Sequence, residues 1–231
     1  MKIKVCIANY GDSQLWCLHR MLEEFKTYKK YEVDITIYST VDIPNYRCIL
    51  FDNSIGGQLP FMPRKEIYHA RDRYDLFLYN ENDHLITEDN IDAYLEVNKN
   101  IQLPYCPGFY RYELKDDKKI LLDWNPYFGQ IKSSENKHMF TVHNVHQGCY
   151  LLTKEQLSYC IDSRQFLVPP HEGPYGILEQ GASDPYNNCG LNKVFPKDMN
   201  LLSRLGIQHL PVKYSLKYEW LHHGITLTQL I

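Results

Sequence analysis

Residues 74–87 read YDLFLYNENDHLIT, and this stretch decides the fold prediction. Its first half is an apolar and aromatic run, which is typical of a buried β-strand. The run ends abruptly at Glu81, Asp83 and His84, and Thr87 then opens a helix with Asn90 three residues later. Ligands of open α/β sheets bind just beyond the carboxyl ends of the strands. We therefore predict that this acidic turn belongs to a binding site.

The segments before this stretch also alternate between strands and helices. The pattern predicts strands at residues 3–8, 33–38 and 46–51, a helix at 14–28, and a loop with a short helix within 59–72. Asp12 or Ser13 is expected to cap the helix at 14–28. The first 100 residues therefore read β-α-β-(β)-α-β-α, which indicates an open α/β sheet.

The second half is less regular. A hairpin is expected between residues 103–113 and 119–123, and a strand near Gly148 should run straight into a helix capped by Thr153. A helical stretch follows at 176–189. We predict one domain over residues 1–231, because 44% hydrophobic residues suffice for one sizeable core.

Composition excludes several classes of function. The formal charge of −3 and the sequence pI near 6.4 provide no basic field for non-specific nucleic-acid binding. No apolar run approaches the roughly 18 residues of a membrane span, and no leader precedes the first strand, so we expect a soluble protein. Seven cysteines without a CxxC pair favour a reducing compartment, and hence a cytoplasmic protein.

The acidic turn itself predicts a metal site. Glu81 and Asp83 alternate at a strand exit, and hard carboxylate ligands suit Mg²⁺ or Mn²⁺, which in turn bind a diphosphate. The alternative is a polar turn that only caps the next helix. His84 either lies at the entry to that helix or forms a hydrogen bond that orients the carboxylates. His143 and His146 form a His-x-x-His pair, which could bind a soft metal. A zinc site would need a third or fourth ligand at a matching spacing, and the sequence does not offer one.

At this point the order of features resembles the GT-A family of nucleotide-sugar glycosyltransferases. The matching segments are the Asn-Tyr turn after the first strand, YDLFLYNENDHLIT in the place of the family's D-x-D strand, GCYLLTKEQL at 148–157, GILEQGASD at 176–184 and HLPVKY at 209–214. The chain departs from the D-x-D pattern, because Glu81 stands in the first position. In size and layout it is also similar to the transferase domains with which large DNA viruses glycosylate their capsid proteins.

The resemblance implies a GT-A-like fold with a nucleotide-binding half at 1–100 and an acceptor-binding half at 101–231. Asp83 would be the main carboxylate on the cation, and Glu81 would bind ribose or a metal-bound water. A C-terminal histidine would complete the metal shell, with His209 favoured over His222 and His223. The remaining residues implied for the nucleotide are Ala8, Asn9, Tyr10, Ser39, Thr40 and, for phosphate or sugar hydroxyls, Arg64.

An inverting transferase also needs a carboxylate to accept the proton of the acceptor hydroxyl. Glu179, in the first turn of the helix at 176–189, is the predicted base, while Glu172 and Asp184 compete for the role. Its alternative role is that of an acid near a helix N-terminus. A retaining enzyme would need no such base.

The sequence therefore predicts a metal-dependent glycosyltransferase that uses a nucleotide-sugar donor, a UDP-sugar, and a glycan or glycoprotein acceptor. Two alternatives stay open. A nucleotidyltransferase also places carboxylates beside a metal and a nucleotide, but residues 8–12 lack its Gly-rich basic phosphate loop. A non-enzymatic carbohydrate-binding protein would use the many aromatic side chains to stack on sugar faces.

Overall fold

The structure, a computed structural model, describes residues 1–123, 131–133, 137–142 and 144–217. The helices are Leu15–Lys26 (α1), Pro63–Ala70 (α2), Glu88–Asn98 (α3), Lys154–Asp162 (α4), Ile177–Asn187 (α5), Met199–Ser203 (α6) and Tyr214–Lys217 (α7), with a 3₁₀ segment at Asn53–Phe61. The strands are Lys2–Asn9 (β1), Glu32–Ser39 (β2), Cys48–Leu50 (β3), Leu76–Glu81 (β4), His84–Leu85 (β5), Tyr105–Pro107 (β6), Tyr110–Lys115 (β7), Lys118–Leu121 (β8), Ile131–Ser133 (β9), Met139–Val142 (β10), Cys149–Thr153 (β11), Asn192–Pro196 (β12) and Gly206–His209 (β13).

The central sheet has five strands in the order β11-β4-β1-β2-β3. Strands β1 to β4 are parallel, and β11 runs antiparallel to β4 at one edge. The predicted α/β class, with an open mixed sheet flanked by helices, is confirmed. The register places Glu81 beside Ala8 and Asn9 beside Ser39, so the carboxyl ends of β4, β1 and β2 meet at one edge.

Both faces of this sheet are buried at its centre, which explains the apolar runs of β4 and β11. Ile3, Val5 and Ile7 share one core with side chains of α1 and α3. Cys6 and Ala8 point to the other face, where side chains of α2, α4 and α5 complete a second core. The alternation along β1 thus assigns each helix to one side of the sheet.

Two further sheets accompany the central one. Within the described residues their strand orders are β6-β12-β10-β9 and β5-β13-β7-β8. The predicted hairpin forms between β7 and β8, across a turn in which Asp116 and Asp117 both have positive φ. Residues 105–107 pair with β12 instead. The antiparallel pair of β5 and β13 aligns His84 with His209.

Two of the three predicted helix caps are confirmed. Thr87 with Asn90 and Thr153 with Gln156 form complete capping boxes at α3 and α4. The prediction for α1 is wrong, since the helix begins at Leu15 without a side-chain cap and Asp12 contributes only its carbonyl, 3.1 Å from the Leu15 nitrogen. In the described part of the chain, no helix combines the length and apolarity that crossing a membrane requires.

Candidate metal centre and cleft

The pairing of β5 with β13 brings His84 and His209 together just beyond the end of β4. Strand β4 ends at Glu81, the chain turns, and β5 begins at His84, which lies directly opposite His209 on β13. The two imidazole centroids are 5.2 Å apart. Asp83 lies in the turn between the strands, so residues far apart in the sequence converge on one point.

Asp83, His84 and His209 have the geometry of a metal-binding group. Their candidate ligand atoms all lie within 4.8 Å of one another. Asp83 Oδ1 lies 2.8 Å from His84 Nδ1, and Asp83 Oδ2 lies 3.4 Å from His209 Nε2. His84 Nε2, by contrast, is buried without a hydrogen-bond partner among the described residues. Buried polar atoms without partners oppose folding, and a shared cation would satisfy them.

Glu113 fixes the orientation of His209. Its Oε1 lies 2.9 Å from His209 Nδ1 and also accepts the backbone N–H groups of Lys213 and Tyr214 at 3.1 and 2.9 Å. A carboxylate behind a ligating imidazole is the usual arrangement in metal centres, because it orients the ring and fixes the tautomer. His209 Nε2 is therefore the nitrogen available on the side of Asp83.

The backbone at Gly148 packs against the imidazole of His84. This residue has φ near +67°, and a Cβ placed on it would lie 2.1 Å from His84 Cε1. The imidazole therefore packs directly on the backbone at a position where only glycine fits. The glycine noticed in the sequence before β11 thus has a specific structural reason.

The two acids of the turn differ in their ionisation. Burial, together with the charge of Asp83, raises the pKa of Glu81 to about 8. Burial also acts to raise the pKa of Asp83, but its contacts with His84 and His209 outweigh this effect and hold that pKa well below its usual range. At neutral pH Asp83 is therefore the ionised member of the pair, as its predicted role on a cation requires.

A cleft with two compartments opens around this centre, and both compartments share Glu81, Asp83 and Leu178. The first has a volume of about 350 Å³ and is mainly apolar; its other lining residues are Ala8, Tyr10, Gln14, Gly56, Gly57, Leu59, Pro60 and Asn82. The second has a volume of about 480 Å³ and is more polar; it adds His84, Arg111, His146, Gly176, Ile177, Glu179, His209 and Tyr214. The candidate metal centre lies at their junction.

The residues predicted to bind the nucleotide separate into two groups. Ala8 and the half-exposed Tyr10 line the apolar compartment. Asn9 and Ser39 are fully buried, and the Asn9 amide donates to the Ser39 hydroxyl at 2.8 Å. The Thr40 hydroxyl accepts the backbone N–H of Gly11. These three polar side chains shape the turn after β1, whereas Ala8 and Tyr10 are placed to touch a ligand.

Asn82 ties this polar network to the acidic turn. Its amide donates to Asn9 Oδ1 at 2.7 Å, and Gln14 donates to Asp83 Oδ2 at 3.3 Å. The start of α1 and the end of β1 therefore both hold the turn that carries the carboxylates. Neither contact was foreseen from the sequence, since amide side chains carry no distinctive spacing.

Arg64 does not lie in the cleft, which corrects the sequence prediction. Its guanidinium is buried on the ring of Phe61 and donates to Asp184 Oδ2 at 2.8 Å and to the backbone carbonyl of Gln180 at 3.1 Å. Further bonds reach the carbonyls of Phe166 and Val168. Arg64 thus connects α2 to α5 and is not available to a phosphate.

We expect Arg64→Ala to lower the free energy of unfolding by about 3–5 kcal/mol, because it removes the guanidinium that pairs with the buried Asp184 and leaves only the longer contact with His171. Chemical denaturation measures this effect, with exposed Lys65→Ala as the matched control. Nucleotide affinity of the folded variant should equal that of the parent. A stable Arg64→Ala protein with weakened nucleotide binding would contradict this assignment.

The three candidate bases also separate. Glu179 is exposed in the first turn of α5 and lines the polar compartment, and its Oε2 accepts the Gly176 N–H at 3.1 Å. Asp184 is buried against Arg64, so it is not available as a base. Glu172 is exposed and does not line either compartment. Glu179 therefore combines a capping contact with a place in the cleft.

Among the histidines, His84 and His146 take positions that the sequence did not assign. His84 belongs to the candidate ligand group. In the sequence, its position directly after Asp83 was the one feature that could have indicated this role. His146 lines the polar compartment. His143, His222 and His223 lie outside the described residues.

Comparisons with known proteins find similar chains only among solved structures. No protein-family model and no curated protein matches the chain. One solved structure is that of a glycosyltransferase involved in the glycosylation of the major capsid of PBCV-1, with 14% identity and a TM-score of 0.39 over 95% of this chain and 98% of that chain.

Proposed function

We propose that this protein is a metal-dependent glycosyltransferase that moves a sugar from a UDP-sugar to a glycan or glycoprotein acceptor. The observation that carries the proposal is the group of Asp83, His84 and His209 at the junction of two cleft compartments, where candidate ligand atoms lie within 4.8 Å of one another and His84 Nε2 is buried without a partner among the described residues. This junction lies at the carboxyl ends of β4 and β1, where open α/β sheets bind their ligands.

The composition of the apolar compartment supports a cation as a partner of the nucleotide. Its lining residues include the exposed ring of Tyr10 and the adjacent Gly56 and Gly57, which allow a flat base to approach closely. Among the described lining residues there is no lysine or arginine. A diphosphate bound there would need a cation at Asp83 to offset its charge.

The proposed ligand set favours Mn²⁺ over Mg²⁺. Asp83 offers a carboxylate and the two histidines offer imidazoles, and imidazole suits transition metals better than Mg²⁺. Such a cation supplies Lewis-acid stabilisation of the leaving diphosphate. Glu81, which lines both compartments, is proposed to bind a ribose hydroxyl or a metal-bound water, and Glu179, in the polar compartment, is proposed to accept the proton of the acceptor hydroxyl.

The free cysteines support the expected cellular location. All seven are free thiols, and all but Cys48 are buried. Buried thiols without disulfides are typical of proteins in reducing compartments. We therefore propose that the protein works in the cytoplasm.

A thermal-shift experiment with UDP and Mn²⁺ tests the proposed function. At about 100 times their dissociation constants the pair should stabilise the fold by about 2.7 kcal/mol, which corresponds to roughly 5–10 °C for a chain of this size. UDP alone and Mn²⁺ alone should give clearly smaller shifts, and Mg²⁺ should replace Mn²⁺ poorly. A donor-hydrolysis screen across UDP- and GDP-sugars then identifies the sugar. A response to neither UDP nor GDP with Mn²⁺ would contradict the proposal and favour a metal-independent carbohydrate-binding protein.

A further inference from the structure

An ion pair forms part of the wall of the polar compartment. Arg111 Nε lies 3.0 Å from Asp123 Oδ1, and Arg111 Nη2 lies 2.7 Å from the same oxygen. The backbone N–H of Arg111 donates to Asp123 Oδ2 at 2.7 Å. Arg111 also lines the cleft, while its Nη1 has no hydrogen-bond partner among the described residues. The guanidinium is therefore held rigidly with its charge compensated by Asp123, and within the described residues its Nη1 group is not used in this ion pair.

His146 lines the same compartment and is more than nine-tenths buried. Its Nδ1 has no partner in the described part of the chain. The backbone around it is fixed, because the His146 N–H donates to Asn144 Oδ1 and the next side chain, Gln147, accepts the Phe109 N–H. Burial and the nearby Arg111 hold the pKa of His146 well below its usual value, so the ring is neutral and can both donate and accept.

The charges around these two residues favour an uncharged ligand. Arg111 is paired with Asp123, and it is the only lysine or arginine among the described lining residues. The remaining charged group outside the candidate metal centre is Glu179, an acid. A ligand carboxylate would meet this acid without an unpaired cation, whereas neutral hydroxyl groups can bind both Nη1 and the imidazole.

We propose that Arg111 and His146 form a hydroxyl-binding subsite for the neutral sugar of the donor, which discriminates against acidic sugars. This inference rests on the proposed function, because the group attached to a diphosphate at Asp83 would extend into the adjacent polar compartment. His146 selects by its hydrogen bonds to hydroxyls, and Arg111 keeps its donor group in place through Asp123.

The test compares UDP with its sugar conjugates in the presence of Mn²⁺. Dissociation constants of UDP, UDP-glucose, UDP-galactose, UDP-N-acetylglucosamine, UDP-xylose and UDP-glucuronic acid are measured by calorimetry for the parent, His146→Phe and His146→Gln. His19→Phe, at an exposed position on α1, serves as the matched control. Circular dichroism and thermal unfolding establish that each variant is folded.

In the parent, at least one neutral conjugate should bind roughly tenfold or more tightly than UDP-glucuronic acid. In His146→Phe, the ratio of that conjugate's dissociation constant to that of UDP should rise about tenfold, while UDP itself binds as in the parent. His146→Gln should stay within a few-fold of the parent, because an amide can also donate and accept. His19→Phe should change nothing.

Three results would overturn the subsite. They are an unchanged ratio in His146→Phe, an equal loss for UDP and its conjugates, and a preference of the parent for UDP-glucuronic acid. The failure of UDP to bind the parent with Mn²⁺ is a separate result. It would overturn the proposed function and this subsite with it.

Discussion

We expect Asp83→Asn to abolish Mn²⁺-dependent UDP binding and to leave the fold intact. Asp83 is the ionised acid of the turn and contacts both His84 and His209, so it contributes the negative charge to the ligand group. Loss of a residue that only supports a metal ligand costs about 10–100-fold in metal affinity, so loss of a ligand should cost more than about 100-fold. Calorimetric titration of UDP with and without Mn²⁺ measures the effect.

Asp72→Asn is the matched control, because Asp72 is an exposed acid away from the cleft. His209→Ala should weaken UDP binding only when the cation is present. Equal Mn²⁺-dependent UDP affinity in Asp83→Asn and the parent would remove the metal centre from the proposal. An unchanged titration in His209→Ala, with a loss on substitution of His222 or His223, would assign the role to the later histidines.

Glu179→Gln should reduce sugar transfer by roughly two to four orders of magnitude, the usual contribution of a positioned general base. The amide cannot accept the proton of the acceptor. It can still accept the Gly176 N–H, as glutamine does in a capping box, so α5 keeps its start. UDP and Mn²⁺ should bind as in the parent, and initial rates at saturating donor measure the loss.

Exposed Glu172→Gln is the control for Glu179→Gln, because it makes the same chemical change outside the cleft. Its transfer rate should match that of the parent. If Glu179→Gln also transfers sugar within a few-fold of the parent, Glu179 acts only at the helix start, and a retaining mechanism explains the reaction better.

The sequence was informative about the fold wherever one local pattern determined one element. The apolar runs of β1 and β4 and the threonine caps of α3 and α4 were predicted, because each depends on neighbouring residues. The burial of charged lysine and arginine side chains could not be predicted in the same way. Lys4 is buried in β1 because Thr36 and Glu66 on other elements receive its ammonium group. Arg64 is buried for a similar reason, and such partners have no fixed spacing in the sequence.

The candidate site shows the same division. Glu81 and Asp83 could be predicted from the strand that precedes them, and the resemblance to a known family pointed to His209. The place of His84 depends on the register of β5 with β13, and the contact of Glu113 with His209 depends on the path of β7. Both are tertiary facts that a pattern of residue types does not encode.

The pairing of β5 with β13 sets an order of events during synthesis. The ribosome releases Asp83 and His84 long before residues 206–209, so a growing chain first exposes one carboxylate and one imidazole without the third member of the group. Such a partial site holds a cation weakly, because metal affinity depends on ligands that the fold brings together. In the proposed metal centre, capture of the ion would therefore be a late step that follows the docking of β13 on β5.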